Sequence, residues 1–167
     1  MRLRLYQPED FGVIRSWTGD ERTHALWCAN RFLFPLRQAD FERVLASSAA
    51  DTGETPLVMC DDGGMPMGFF CCSTDERTRI SKLRFVILSP VLRGKGLGRM
   101  LCRMALGYAF GVTDAKAVQL SVFPENTRAV RCYESVGFRE LMRTDGVFPF
   151  GDETWGRCIM VIENEDR

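Results

Sequence analysis

Leu3, Leu5 and Tyr6 interleave with Arg2 and Arg4, a period of two that predicts a strand over residues 3–6 with one buried face. Pro8-Glu9-Asp10 then opens a helix running through Trp17, because proline suits a first helical position and acidic side chains suit the first turn. Thr18-Gly19-Asp20 is a polar break, and residues 27–36 are aromatic but aperiodic. Residues 39–49 return to helical spacing through Phe41, Val44 and Leu45. Two short apolar runs, 57–60 and 67–72, flank Asp61-Asp62-Gly63-Gly64, residues that tolerate positive φ and so predict a hairpin. A second tight turn at Asp75-Glu76-Arg77 leads into residues 79–88, giving three antiparallel strands.

Leu97, Leu101, Met104 and Tyr108 recur at helical spacing until Gly111, and residues 117–123 form a β-branched, apolar strand. The helix between them makes strands 79–88 and 117–123 parallel. Residues 127–136 predict another helix, ended by Gly137 in the place of a C-cap. Residues 138–142 and 158–162 close the pattern as a strand pair around a loop at 144–155. The order is βααβββαβαββ, with no repeat, low-complexity tract or linker.

At 167 residues and 46% hydrophobic content the chain can bury one substantial core and is short for two, so a single domain over 1–167 is expected. Lys plus Arg and Asp plus Glu both total 22, so no overall field draws the protein to nucleic acid or an acidic membrane. The first ten residues lack a signal-peptide core, and no run approaches the ~18 apolar residues of a membrane span. The seven cysteines are odd in number, contain no CxxC pair and mostly sit in apolar segments. They read as buried thiols of a reducing cytoplasm, with no zinc or other metal site. Cys71 and Cys72 should point to opposite faces of a strand. His24 is the sole histidine, which leaves Ser-His-Asp or Cys-His chemistry only that residue to use; among Glu21, Arg22 and Thr23 it reads as a solvated surface side chain without a role.

The chemistry concentrates in Arg93-Gly94-Lys95-Gly96-Leu97-Gly98, between an apolar strand and a helix. Three glycines at alternate positions free backbone N–H groups to turn toward an anion at a helix N-terminus. A connecting turn needs one or two glycines and no cations, whereas Arg93, Lys95 and Arg99 surround these three. The spacing matches neither a P-loop, which needs GxxxxGK and a hydroxyl, nor GxGxxG, because Arg99 stands in place of the third glycine. Read as RxxGxG after strand 83–88, it resembles the pyrophosphate loop of the GNAT N-acetyltransferases, which bind acetyl-CoA.

A second segment carries the same resemblance. Asn126, Ala129, Tyr133, Gly137 and Phe138 are similar to that family's NxxAxxxYxxxGF pattern, and the match in element order covers nearly the whole chain. The resemblance implies an α+β fold with a mixed, mostly antiparallel sheet of six or seven strands, helices on both faces and two splayed parallel strands. It further implies that backbone groups of Val86, Ile87 and Leu88 bind the pantetheine arm in the gap, that residues Arg93, Gly94, Lys95, Gly96, Leu97 and Gly98 bind the pyrophosphate, and that Asn126 touches the pantetheine. Tyr133 would protonate the departing CoA thiolate. A phenol near pKa ~10 can hold a proton at neutral pH and share it with a thiol near ~8.5. The implied activity is direct acetyl transfer to a primary amine, either a small molecule or a protein N-terminus.

Part of the family places a glutamate five residues before the asparagine, where this chain has Ser121. Deprotonation of the amine is therefore expected through ordered water or a loop carboxylate such as Asp152 or Glu153. The opening residues and Trp17 resemble the branch with ribosomal-protein, aminoglycoside and polyamine acetylases. Specificity in this family comes from the first helices and last hairpin, where Trp17, Asp20, Glu21, Trp27, Asp152, Glu153 and Trp155 fall. Aromatic walls with carboxylates suit a cationic amine, although each residue taken singly reads first as structural. A non-catalytic acyl-CoA sensor is the alternative, and retention of Asn126 and Tyr133 argues against it. The acceptor, acyl-chain selectivity and oligomeric state stay open, a homodimer included.

Overall fold

The computed structural model describes residues 1–164. Seven strands form one sheet: β1 (Arg2–Leu5), β2 (Thr55–Cys60), β3 (Pro66–Asp75), β4 (Ile80–Leu88), β5 (Ala117–Val122), β6 (Arg139–Phe150) and β7 (Glu153–Glu163), in the order β1-β2-β3-β4-β5-β7-β6. Among the described residues only β4 and β5 run parallel; every other neighbouring pair is antiparallel. Helices α1 (Phe11–Ser16), α2 (Glu21–Cys28) and α3 (Gln38–Thr52) precede β2, α4 (Leu97–Gly111) crosses from β4 to β5, and α5 (Thr127–Glu134) follows β5.

Two cores sandwich the sheet. Phe32, Phe41, Phe69 and Phe85 pack with α1–α3 on one face, whereas Phe70, Leu83, Leu101 and Tyr133 pack with α4 and α5 on the other. Cys71 belongs to the first core and Cys72 to the second, as strand alternation requires. α4 lies close to β3 because Gly68 leaves room; a Cβ there would meet Leu101 Cδ2 at 2.9 Å.

Three features differ from the pattern-based expectation. Three helices precede β2, because Asp20 accepts a hydrogen bond from the Thr23 amide at 2.8 Å and caps α2 inside the stretch read as a polar break and an aperiodic run. The presumed loop 144–155 is mostly strand: β6 and β7 extend to Phe150 and from Glu153 around a turn at Gly151 (φ +56°). Finally, His24 is fully buried, with Cys28 Sγ at 3.6 and 3.7 Å from its ring nitrogens and Trp27 and Phe34 edge-on. An eight-residue helix pairing polar Glu21 and Arg22 with an inward face at His24, Ala25 and Cys28 explains the misreading.

Burial holds the His24 pKa below the ordinary histidine value. The folded chain then refuses a proton that the unfolded chain accepts, so stability is intact above the ordinary pKa and is lost as pH falls toward the folded-state value. Urea midpoints measured from about pH 7.5 to about pH 5.5 will decline, and less steeply in His24→Gln. An equally steep decline in the variant would assign the slope to other groups.

Candidate acetyl-CoA and acceptor site

The glycine loop ends on the N-terminus of α4. Gly94 and Gly96 sit at φ +77° and +79°, a left-handed backbone that side chains disfavour, and Gly96 is the α4 N-cap. A 15-residue helix carries a partial positive charge at this end, with its first amides unpaired. Arg93 is half-buried, its Nε 3.4 Å from the Leu88 carbonyl oxygen. Burial lowers its pKa first and the nearby Arg128 lowers it further, so the guanidinium favours an anion as neighbour. Gly98 lets α4 approach α5, since a Cβ there would meet Cys132 Sγ at 3.1 Å.

β4 and β5 pair from Ile80–Ala117 to Leu83–Leu120, and among the described residues their ladder stops there. The cause is a bulge. Cys71 faces Arg84 and Phe69 faces Ile87, so Phe85 and Val86 together oppose Phe70, and Phe85 takes φ +52°. That conformation is costly for an aromatic residue and is held from several sides. Trp27 Nε1 donates to the Phe85 carbonyl oxygen at 2.8 Å, and the Phe85 ring packs on Phe32 at 4.6 Å. Beyond Leu83 the facing edges of β4 and β5 leave backbone groups without sheet partners, and such groups near a core demand a ligand or water.

Two cavities meet at this splay. The larger, about 540 Å³, takes in Val86, Ile87, Leu88, Arg93, Gly94, Gly96, Gly98, Asn126 and Tyr133, with Arg99, Arg128 and Arg131 adding charge. Lys95 and Leu97 do not line it. The smaller, about 350 Å³, lies between the end of α2, β4, β5 and the β6–β7 hairpin. Leu26, Trp27, Val86, Asn126, Ala129 and Tyr133 line both, so Tyr133 stands at the junction. Asn126 caps α5, its Oδ1 accepting from the Ala129 amide at 3.3 Å, which points the cap and the tyrosine two turns later into one crevice.

Tyr133 is 8% exposed, and burial, reinforced by Cys102 and Cys132, pushes its pKa well above that of an ordinary phenol. No hydrogen bond engages its hydroxyl among the described residues. The Cys102 and Cys132 sulfurs are 4.0 Å apart. A hydrogen bond from Cys102, aided by the Arg99 charge, draws the Cys132 thiol below the ordinary value, and Cys102 is driven upward. Cys132 is also the one cysteine of the seven that is not buried. It should be the first alkylated by iodoacetamide near neutral pH, as mapped by mass spectrometry, and saturating CoA should slow that reaction several-fold. Uniform labelling would contradict the lowered Cys132 thiol, and no protection would argue against CoA occupying the larger cavity.

The carboxylates proposed from sequence lie elsewhere. Glu153 is engaged by Arg22 at 2.5 and 3.1 Å and by Trp155 Nε1 at 2.8 Å, which holds its carboxyl below the usual range. Neither it nor Asp152 lines either of these two cavities, and among the described residues no Asp or Glu does. Trp17 is buried in the α1–α3 core and Trp155 in a separate cluster with Phe123. Ser121 does line the smaller cavity. Sequence reasoning missed Thr23 and Leu26 of α2, together with Arg31, Arg84 and Arg157. The Asp20 cap was a signal for the helix, but no local pattern marks the arginines.

Residues 14–138 match the family model described as the acetyltransferase (GNAT) family. The aminoglycoside N(6')-acetyltransferase type 1 of Klebsiella pneumoniae is 28% identical over 150 residues, 81% of this chain and 72% of that protein. An uncharacterized N-acetyltransferase of Methanocaldococcus jannaschii is 30% identical over 92 residues, 52% of this chain, which spans 40% of that relative's length. In three dimensions, spermidine N-acetyltransferase from Vibrio cholerae, solved with CoA and spermine, superposes with a TM-score of 0.82 at 24% identity over 97% of this chain and 94% of that one. With three quarters of its length inside the family model and the splayed sheet in place, the chain belongs to the acetyltransferase (GNAT) family, whose enzymes move acetyl from acetyl-CoA to an amine nitrogen.

Proposed function

We propose that this chain acetylates a primary amine by direct attack in a ternary complex, with the coenzyme in the larger cavity and the acceptor in the smaller. The observation that carries the reading is the junction: an arginine- and glycine-lined chamber and a second chamber share Tyr133 in their walls. The chambers fit the group, since positive-φ glycines, a helix N-terminus and four arginines suit a diphosphate, and unpaired β4 edge groups suit an amide-bearing arm. Acetyl-CoA, when bound, supplies the activated thioester.

Arg93, Gly94, Gly96 and Gly98 would hold the diphosphate, with Lys95 a flanking cation and Leu97 the first residue of α4. The backbone at Val86, Ile87 and Leu88 would pair with the pantetheine, and one N–H there would stabilise the carbonyl oxygen as it gains charge. Asn126 would position the arm. Tyr133 keeps its proton through neutral pH and gives it to the leaving sulfur as the new N–C bond replaces the C–S bond. The proton leaving the nitrogen passes to water, consistent with cavities lined by no carboxylate.

Relatives named for aminoglycosides, spermidine and peptidyl-lysine set the initial acceptor panel. Thiol release from acetyl-CoA across that panel, paired with calorimetry of CoA alone, tests the reading. Micromolar CoA binding with amine-dependent release supports it; CoA binding without release for any amine would favour an acyl-CoA sensor.

A further inference from the structure

The smaller cavity is lined by Arg31, Arg84 and Arg157 and, among the described residues, by no acidic side chain. Arg84 is anchored: its Nε lies 3.1 Å from the buried Glu54 carboxylate, and its guanidinium covers the Phe85 ring at 4.8 Å. Arg31 and Arg157 are exposed, and among the described residues no ion pair engages either. The lining therefore carries a surplus of about two positive charges after Glu54 offsets one. Trp27, Phe85, Phe123 and Phe148 supply apolar wall between them. This composition is the reverse of the carboxylate-rich pocket expected from sequence, and resting on the acetyltransferase reading we infer that the acceptor is a small primary amine bearing an acidic group and an apolar body, such as an aromatic amino acid, and not a polyamine.

The physical case has three parts. Guanidiniums offer a planar fork of donors that matches a carboxylate or phosphonate, and Arg31 and Arg157 present two such forks beside apolar walls. A second ammonium on a polyamine would instead face like charge, with no carboxylate to receive it. The same guanidiniums disfavour the protonated form of the reacting amine, so its lone pair becomes available without a carboxylate base at hand. A volume of about 350 Å³ accommodates an amino-acid-sized acceptor.

The test compares L-phenylalanine, its aminophosphonate analogue, L-phenylalaninamide, spermidine and an amidated peptide N-terminus as acceptors for the full chain. The acid and phosphonate should exceed the amide and spermidine in kcat/KM by at least about ten-fold. Arg157→Ala and Arg31→Ala should each shrink the acid-to-amide ratio by about ten-fold. If the phosphonate alone is preferred, phosphorus oxyanions are the relevant acidic group. Spermidine, the amide or the peptide matching the acid, or a ratio untouched by both substitutions, would overturn the inference while leaving amine acetylation standing. Binding is read separately by titrating N-acetyl-L-phenylalanine into the CoA complex. Saturable binding weakened by Arg157→Ala supports the anion site even where turnover is absent, and no binding overturns it. Failure to bind CoA itself marks the failure of the acetyltransferase reading.

Discussion

Replacing Tyr133 with phenylalanine should lower kcat by about 10²-fold while the Kd for CoA changes little. The ring stays, so its packing against Phe138, at 5.8 Å and 66°, survives; only the hydroxyl is removed. Because that hydroxyl makes no hydrogen bond among the described residues, no folding interaction is lost with it. Burial keeps the phenol protonated well past its ordinary range, so the pH profile of kcat/KM should rise with deprotonation of the amine and show no alkaline fall below about pH 10. Single-turnover thiol release against pH checks both statements. Equal kcat in the variant would remove Tyr133 from proton transfer, and an alkaline limb at ordinary phenol pKa would contradict its burial.

Trp155→Ala should cost about 3–5 kcal/mol of folding stability, read as a fall in the urea midpoint at unchanged m. Trp155 is fully buried and stacks on Phe150 at 4.5 Å and Phe148 at 5.6 Å, with Phe123 edge-on at 5.2 Å. Arg22 lies over its ring at 5.1 Å while bonding Glu153, which in turn accepts from the indole N–H. The residue thus pins α2 to the β6–β7 hairpin. Because Phe123 and Phe148 from this cluster also wall the smaller cavity, the proposed acceptor site, KM for the amine should rise more than Kd for CoA. A loss below about 1 kcal/mol would mean that the cluster relaxes around the vacancy.

Much of this was legible because local chemistry carried it. RxxGxG after an apolar strand needs only backbone freedom and a helix start, and residues Gly94, Gly96 and Gly98 all line the larger cavity. Asn126 and Tyr133 share a face because seven residues are two helical turns. α2 was not legible: its one inward face holds His24, Ala25 and Cys28, too few and too polar for an amphipathic signal. The final hairpin was cut short because residues 143–150 alternate without a buried face, an edge strand exposed on both sides along most of its length.

The sequence by itself determined the family, the parallel pair around α4 and the glycine loop proposed to hold a diphosphate, since each depends on neighbours within a few turns of chain. Tertiary structure alone decided the charge of the smaller cavity, the proposed acceptor site. Arg31, Arg84 and Arg157 come from three distant segments, and Glu153, one of two loop carboxylates weighed beside ordered water for deprotonation, is taken by Arg22, 131 residues away. Charge balance in a cavity is a sum over elements that meet only in space, so no window along the chain contains it.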